Sequence, residues 1–225
     1  MGMNAKSVLY FFEILKVEKL EDFSKVSVCI LGDQRLRSHI RQFPEFQAPS
    51  FKALLINKGF QRSESVDVNG YDNSLPFDLS EPINDAGMLG AFDVVVNSGT
   101  TEHILNNRWQ VFNNIHNLLK DRGWMIHIVP FEARGHGFWH YNEPFFQWLA
   151  KSCAYDIIDM RLTLTTYSYN ANKHYLFVTL RRNSGSRFVA LSLWRDPPRD
   201  DLGHRRYEAQ YEEFLKTNLR RAGND

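Results

Sequence analysis

The chain has 225 residues, 43% hydrophobic and 24% charged, which is the make-up of one ordinary globular domain with a full core. Lys and Arg number 27 against 26 Asp and Glu, and the formal net charge of +1 excludes the strongly basic footprint of a dedicated duplex-binding module. The two cysteines, Cys29 and Cys153, form no C-x-x-C pair, which excludes a disulfide framework and a cysteine-built zinc site and fits a reducing cytosol. No apolar run approaches the roughly 20 residues that span a bilayer. Glu13, Lys16 and Glu18 also break the N-terminal apolar segment too early for a secretory signal. A cytoplasmic protein without membrane contact is expected.

Taken in order, Ser7 to about Leu20 predicts a helix, with Val8, Phe11, Phe12 and Leu15 on one stripe. Val26–Leu31 reads as a buried parallel strand that ends at Gly32. Arg35–Gln42 and Phe51–Lys58 read as short helices around Pro44 and Pro49. Ser63–Val68 is a second strand stopped by the Asn69-Gly70 turn, and Leu75–Leu79 a short third one. Phe92–Asn97 is the clearest strand. It is followed by a predicted helix over Glu102–Leu119 that stops in the run from Lys120 to Gly123. Trp124–Val129 is a strand, Phe131–Asn142 a loop, and Glu143–Ser152 a helix with Pro144 in its first turn. Tyr155–Leu162 and Tyr175–Arg181 lack a helix between them and are expected to pair antiparallel at the sheet edge, joined by a polar stretch. A terminal helix is expected from about Arg205 to Leu219. Strands that alternate with helices predict a mostly parallel sheet covered on both faces.

In such sheets ligands sit beyond the carboxyl ends of the strands. No G-x-x-x-x-G-K-[ST] string exists, the positions of G-x-G-x-x-G hold Gly32, Gln34 and Arg37, and Ser98 lies outside any G-x-S-x-G elbow. P-loop, dinucleotide and hydrolase readings fall away. What remains is a ligand with a ribose and an adenine but no phosphate. Asp67 can accept from two ribose hydroxyls, and Asp78 from an adenine amine that Leu79 covers. Either acid also reads as a simple turn cap.

The ordered strings Ile30-Leu-Gly-Asp-Gln34, Val66-Asp-Val-Asn-Gly70, Phe77-Asp-Leu79, Phe92–His103 and Leu119–Pro130 resemble the class I S-adenosylmethionine-dependent methyltransferases, over roughly residues 26–181. The resemblance implies an α/β, three-layer Rossmann-like methyltransferase fold with a terminal antiparallel strand pair, and S-adenosylmethionine as cofactor. By it Gly32, Asp33 and Gln34 would face the methionine moiety, Asp67 with Asn69 the ribose, Asp78 with Leu79 the adenine, and Asn97, Ser98 and Gly99 the sulfonium side. Only Gly32 remains of the family's glycine-rich loop.

The implied reaction is methyl transfer to a small hydroxylated or aromatic metabolite, with O-methylation favoured. For an oxygen nucleophile it needs positioning and a base. His103, with Glu102 beside it and His136 in the later loop, is the candidate catalytic set; His103 equally reads as a packed helix-start residue. Phe138, Trp139, His140 and Tyr141 read either as a substrate wall or as a local core, and His127 as a core histidine. Glu102, His103 and His136 are ligand types that suit a divalent ion, yet no metal is assigned. Tyr207, Tyr211, Phe214 and Leu215 share a helical face and suggest a homodimer contact, in preference to nucleic-acid binding. The competing readings are an RNA or protein methyltransferase, or a methyltransferase-like scaffold that binds without catalysis.

Overall fold

The computed structural model describes residues 2–37, 40, 41, 43–131, 136–168 and 171–196. Six strands make one sheet: β1 (Ser27–Leu31), β2 (Arg62–Val66), β3 (Phe92–Ser98), β4 (Leu119–Pro130), β5 (Tyr155–Ser168) and β6 (Ala171–Arg182). Their spatial order is β2-β1-β3-β4-β6-β5. The first four run parallel, and β6 lies antiparallel between β4 and β5. The layered arrangement and the closing antiparallel pair are those expected from the sequence.

Alternation along the central strands feeds two cores. Cys29, Leu31, Val95, Met125 and Val129 point to one face, covered by α3 (Arg108–Leu118) and α4 (Glu143–Cys153). Val28, Ile30, Val94, Val96, Ile126 and Ile128 point to the other, covered by α1 (Ala5–Val17) and α2 (Phe51–Asn57). Burial on both faces is why these strands are continuous apolar runs. Three of the helices start on side-chain caps: Asn4 Oδ1 accepts from Ser7 N at 3.0 Å, Ser50 Oγ from Ala53 N at 3.1 Å, and Asn142 Oδ1 from Phe145 N at 3.0 Å.

Several elements differ from the expectation. Instead of opening a helix, Arg35–Leu36 pairs in parallel with Gly2–Met3, so the chain's first residues reach the carboxyl end of β1. The expected third strand is reduced to one bridge between Leu75 and Val66. Pro76 has no N–H to continue it, and the Asp78 carboxylate takes Ser80 N–H into a turn. The helix expected from Glu102 begins at Arg108, after a single turn over Thr101–His103 and an Asn107 with φ 47°. Tertiary donors claim the carbonyls that a helix would use: Phe138 N–H bonds Glu102 O at 2.7 Å, and Trp139 Nε1–H bonds Ile104 O at 2.7 Å. Lys120–Gly123 belongs to β4 and does not stop α3, and β5 and β6 run well into the stretch expected to be loop. The expected terminal helix and its dimer contact lie outside the described residues.

Because β1 crosses to β2 on one side and the chain returns to β3 on the other, the switch point lies between β1 and β3. A side-chain strap ties these two strand ends. Gln34 Nε2 donates toward Leu31 O at 3.1 Å, Ser98 O at 2.8 Å and Thr100 Oγ1 at 3.1 Å. Thr100 Oγ1–H itself bonds Leu31 O at 2.7 Å. Gly32 passes beneath at φ 78°, where an added Cβ would stand 2.7 Å from Thr100 Oγ1. Gln34→Ala removes the buried cross-link and should cost about 1–3 kcal/mol, read as a lower denaturation midpoint at unchanged m-value. An unshifted midpoint would show that the strap carries no stability.

Candidate functional site

Two cavities open at the carboxyl ends of the strands and share His103 as a common wall. The larger, of about 260 Å³, lies beyond β1 and β2 and is lined by Gly32, Val66–Asn69, Phe77–Leu79, Thr100, His103 and Ile104. The smaller, of about 40 Å³, lies beyond β3 and β4. Its walls are Ser98, Gly99, Glu102, His103, Pro130, His136 and Tyr175, together with Gly2, Asn4 and Ser7 of the N-terminal segment.

In the larger cavity Asp67 directly follows β2. Its Oδ2 accepts from Asp33 N at 2.8 Å and its Oδ1 from Asn69 N at 3.2 Å. These bonds join the loop after β1 to the turn after β2, and each oxygen keeps a further lone pair for a ligand. Across the cavity Asp78 uses one oxygen to hold Ser80, by N–H at 2.8 Å and by hydroxyl at 2.7 Å, with buried Leu79 next to it. Both acids therefore cap turns and line a cavity at once. Asp33 is not among the lining residues, and its carboxylate lies 3.4 Å from Arg35 Nε. Gln34 is committed to the strap, 2% exposed.

Asn97 does not face either cavity. Its Oδ1 accepts from Thr100 N at 3.3 Å and Thr101 N at 3.2 Å, and its Nδ2 reaches Thr101 Oγ1 at 2.9 Å and His127 Nδ1 at 3.2 Å. This network shapes the turn that presents Ser98, Gly99 and Glu102. His127 is a core histidine, stacked with Phe112 and held neutral by burial, which lowers its pKa to about 3.

Glu102, His103 and His136 do come together. Glu102 Oε1 lies 3.9 Å from His103 Nε2 and 3.8 Å from His136 Nε2, and the imidazole rings meet edge to face at 4.9 Å. The Glu102 side chain is 1% exposed, and among the other described residues neither carboxyl oxygen has a hydrogen-bond partner. Burial pushes its pKa up to about 8. Burial, with His136 adding to it, brings His103 down to about 3. At neutral pH the proton accordingly rests on the carboxyl and not on the His103 imidazole. Gly137, at φ 78°, lets the loop lie on this cluster, since a Cβ there would stand 2.7 Å from Glu102 O.

The aromatic segment expected as a substrate wall is largely core. Phe138, Trp139 and Tyr141 are buried among Val111, Phe112, Phe145 and Phe146, and with His140 they line neither cavity. Trp139 carries the buried Arg108 guanidinium 3.4 Å above its ring, and Arg108 is paired with Asp196. The N-terminal wall had no local indicator, because long-range pairing of Gly2 with Arg35 puts it there.

No protein-family model matches the chain, and no curated protein sequence matches it. Among solved structures it is similar to the 1,6-didemethyltoxoflavin-N1-methyltransferase of Burkholderia thailandensis, at 15% identity and TM-score 0.51, over 79% of this chain and 85% of that one. The fold is the Rossmann-like methyltransferase fold. Fainter likenesses are the N-methyltransferase NodS of Bradyrhizobium japonicum, at 13% identity and TM-score 0.47 over 76% of this chain and 87% of that one, and a 16S rRNA adenine methyltransferase of Catenulisporales acidiphilia, at 10% identity and TM-score 0.48 over 76% and 91%. Among the described residues no helix is long and apolar enough to cross a membrane.

The Glu102 shift has a consequence for stability. Unfolded, the carboxyl releases its proton near 4.5; folded, it holds it to about 8. Between those values the native state binds the extra proton, so this group's contribution falls as pH rises. The depressed histidines act in the opposite sense at lower pH and cancel in a difference between variants. In chelator-containing buffer, the Tm of Glu102→Gln minus that of the wild type should grow from about pH 5 to about pH 8. A pH-independent difference would place an ordinary carboxylate at this position.

Proposed function

We propose that the protein is an S-adenosylmethionine-dependent methyltransferase acting on a small hydroxylated or aromatic acceptor, with O-methylation favoured. The observation that carries this reading is the larger cavity, placed at the β1/β3 switch point of a methyltransferase fold and lined by Asp67, Asp78 and Leu79. Its donor–acceptor chemistry fits the nucleoside half of the cofactor. Asp67 would accept from the ribose hydroxyls and Asp78 from the adenine amine, with Leu79 and Phe77 against the ring. Gly32 and Thr100 would border the methionine half. The likeness to the Burkholderia enzyme supports the assignment, since that protein is seen with 1,6-didemethyltoxoflavin and S-adenosylhomocysteine bound.

The bound cofactor would supply an electrophilic methyl group on a sulfonium. His103, the wall common to both cavities, marks where the acceptor would meet that methyl group. Glu102, His103 and His136 then face the acceptor, where a neutral imidazole can accept a hydrogen bond from its hydroxyl and orient it. The smaller cavity, closed on one side by Gly2, Asn4 and Ser7, favours a compact acceptor group over a folded macromolecule.

The strap of Gln34 and Thr100 favours one second reading, a methyltransferase-like binding protein, because these side chains crowd the place where a glycine-rich loop would leave space. Calorimetric titration with S-adenosylmethionine and S-adenosylhomocysteine separates the two. The enzyme reading predicts saturable binding of at least one of them, weakened by about 1–3 kcal/mol in the isosteric Asp67→Asn variant. The absence of heat and of thermal stabilisation at millimolar ligand would leave the binding-protein reading.

A further inference from the structure

We propose that Glu102, His103 and His136 form a binding site for one divalent transition cation at the floor of the smaller cavity. Three ligand atoms, one carboxylate oxygen and two imidazole nitrogens, all lie within 4.8 Å of one another. Two atoms each about 2.1 Å from a common ion stand at most about 4.2 Å apart. The 3.8 and 3.9 Å separations from Glu102 Oε1 to the two imidazoles already satisfy that limit, and the two imidazole nitrogens lie within 4.8 Å of each other.

A second, independent observation comes from Glu102 itself. It is a carboxyl 1% exposed, turned to the cavity, with neither oxygen hydrogen-bonded to another described residue. Buried carboxylates are normally paired or bound to a metal, and among the described residues no Lys or Arg salt bridge reaches this one. The cavity's roughly 40 Å³ is room for an ion with about one bound water, or with a small acceptor group in that water's place. Hydrogen bonds on both sides hold the backbone that carries the set. The Asn97 network fixes the turn that carries Glu102 and His103, while the bond from Phe138 N–H to Glu102 O ties the His136 loop to the same residue.

Two imidazoles and one carboxylate suit iron(II), manganese(II), cobalt(II) or zinc(II) better than magnesium or calcium, which prefer all-oxygen shells. Three protein ligands leave coordination positions open toward the cavity. Resting on the methyltransferase reading, an acceptor hydroxyl would take one of them and lose its proton to water more readily on the cation. The balance is then acceptor hydroxyl plus S-adenosylmethionine giving methyl ether, S-adenosylhomocysteine and one proton.

The test uses the untagged full chain, stripped with chelator and titrated with cobalt(II) by absorption spectroscopy and with zinc(II) by calorimetry. One ion per chain is expected, with a cobalt spectrum that changes on ligation by nitrogen. Glu102→Gln and His136→Ala should each weaken binding by at least about 100-fold, more than loss of an outer-shell partner does. His174→Ala, on the exposed part of β6, should bind as the wild type does. No stoichiometric ion, or an affinity unchanged in both ligand variants, overturns the site. S-adenosylhomocysteine titrated into the same samples separates the two inferences. Cofactor binding without metal binding overturns the metal site alone. Metal binding without cofactor binding upholds the site and removes its role in methyl transfer.

Discussion

The architecture turns on how the carboxyl ends of β1 and β3 are held at the switch point. Parting strands would leave Leu31 O and Ser98 O facing a crevice with no ladder partner. Gln34 Nε2 and Thr100 Oγ1 supply those partners from side chains, and so set the width of the crevice. The rest of the site follows from that spacing. Gly32 must be a glycine because Thr100 lies over it, and Asp67 closes the same loop from the β2 side through Asp33 N–H. The space left over becomes the larger cavity.

The smaller cavity has a different physical character. It is walled by Glu102, a group that water no longer solvates and no Lys or Arg pairs among the described residues, by His103, which burial keeps neutral, and by His136 beside them. In such a place a positive charge is strongly favoured, whether it is a proton on Glu102 or an ion shared by all three. His103 stands between this polar floor and the nucleoside-sized cavity. Chemistry that needs a cofactor on one side and an acidified acceptor on the other has both sides within reach of one side chain.

Much of the fold was legible in the sequence because it depends on local pattern. Val28–Leu31, Val94–Val96 and Met125–Val129 are apolar runs too short for helices, and the Pro144 helix and the Asn69-Gly70 turn carry their own punctuation. The misread elements are those decided from far away. Arg35–Leu36 is a strand because Gly2–Met3 arrives beside it, and Glu102–Asn107 leaves the helix because Phe138 and Trp139 take its carbonyls. Site residues divide in the same way. Asp67, Asp78, Leu79, Glu102, His103 and His136 were recognisable from residue type and position after a strand. Asn97 and Gln34 were recognisable as polar at the right place, but only the packing shows that each is spent on holding the backbone. The aromatic run at Phe138–Tyr141 has one composition for a wall or a core, and the position of α3 decides for the core.

A crystal structure of the protein with S-adenosylhomocysteine would show directly whether the β1/β3 crevice takes S-adenosylmethionine by its nucleoside half. The ribose hydroxyls are expected on Asp67, the adenine between Phe77 and Leu79 with its amine toward Asp78, and the sulfur pointing past Thr100 toward His103. A ligand bound elsewhere, or a crevice still closed over Gln34 and Thr100 at saturating ligand, would contradict it.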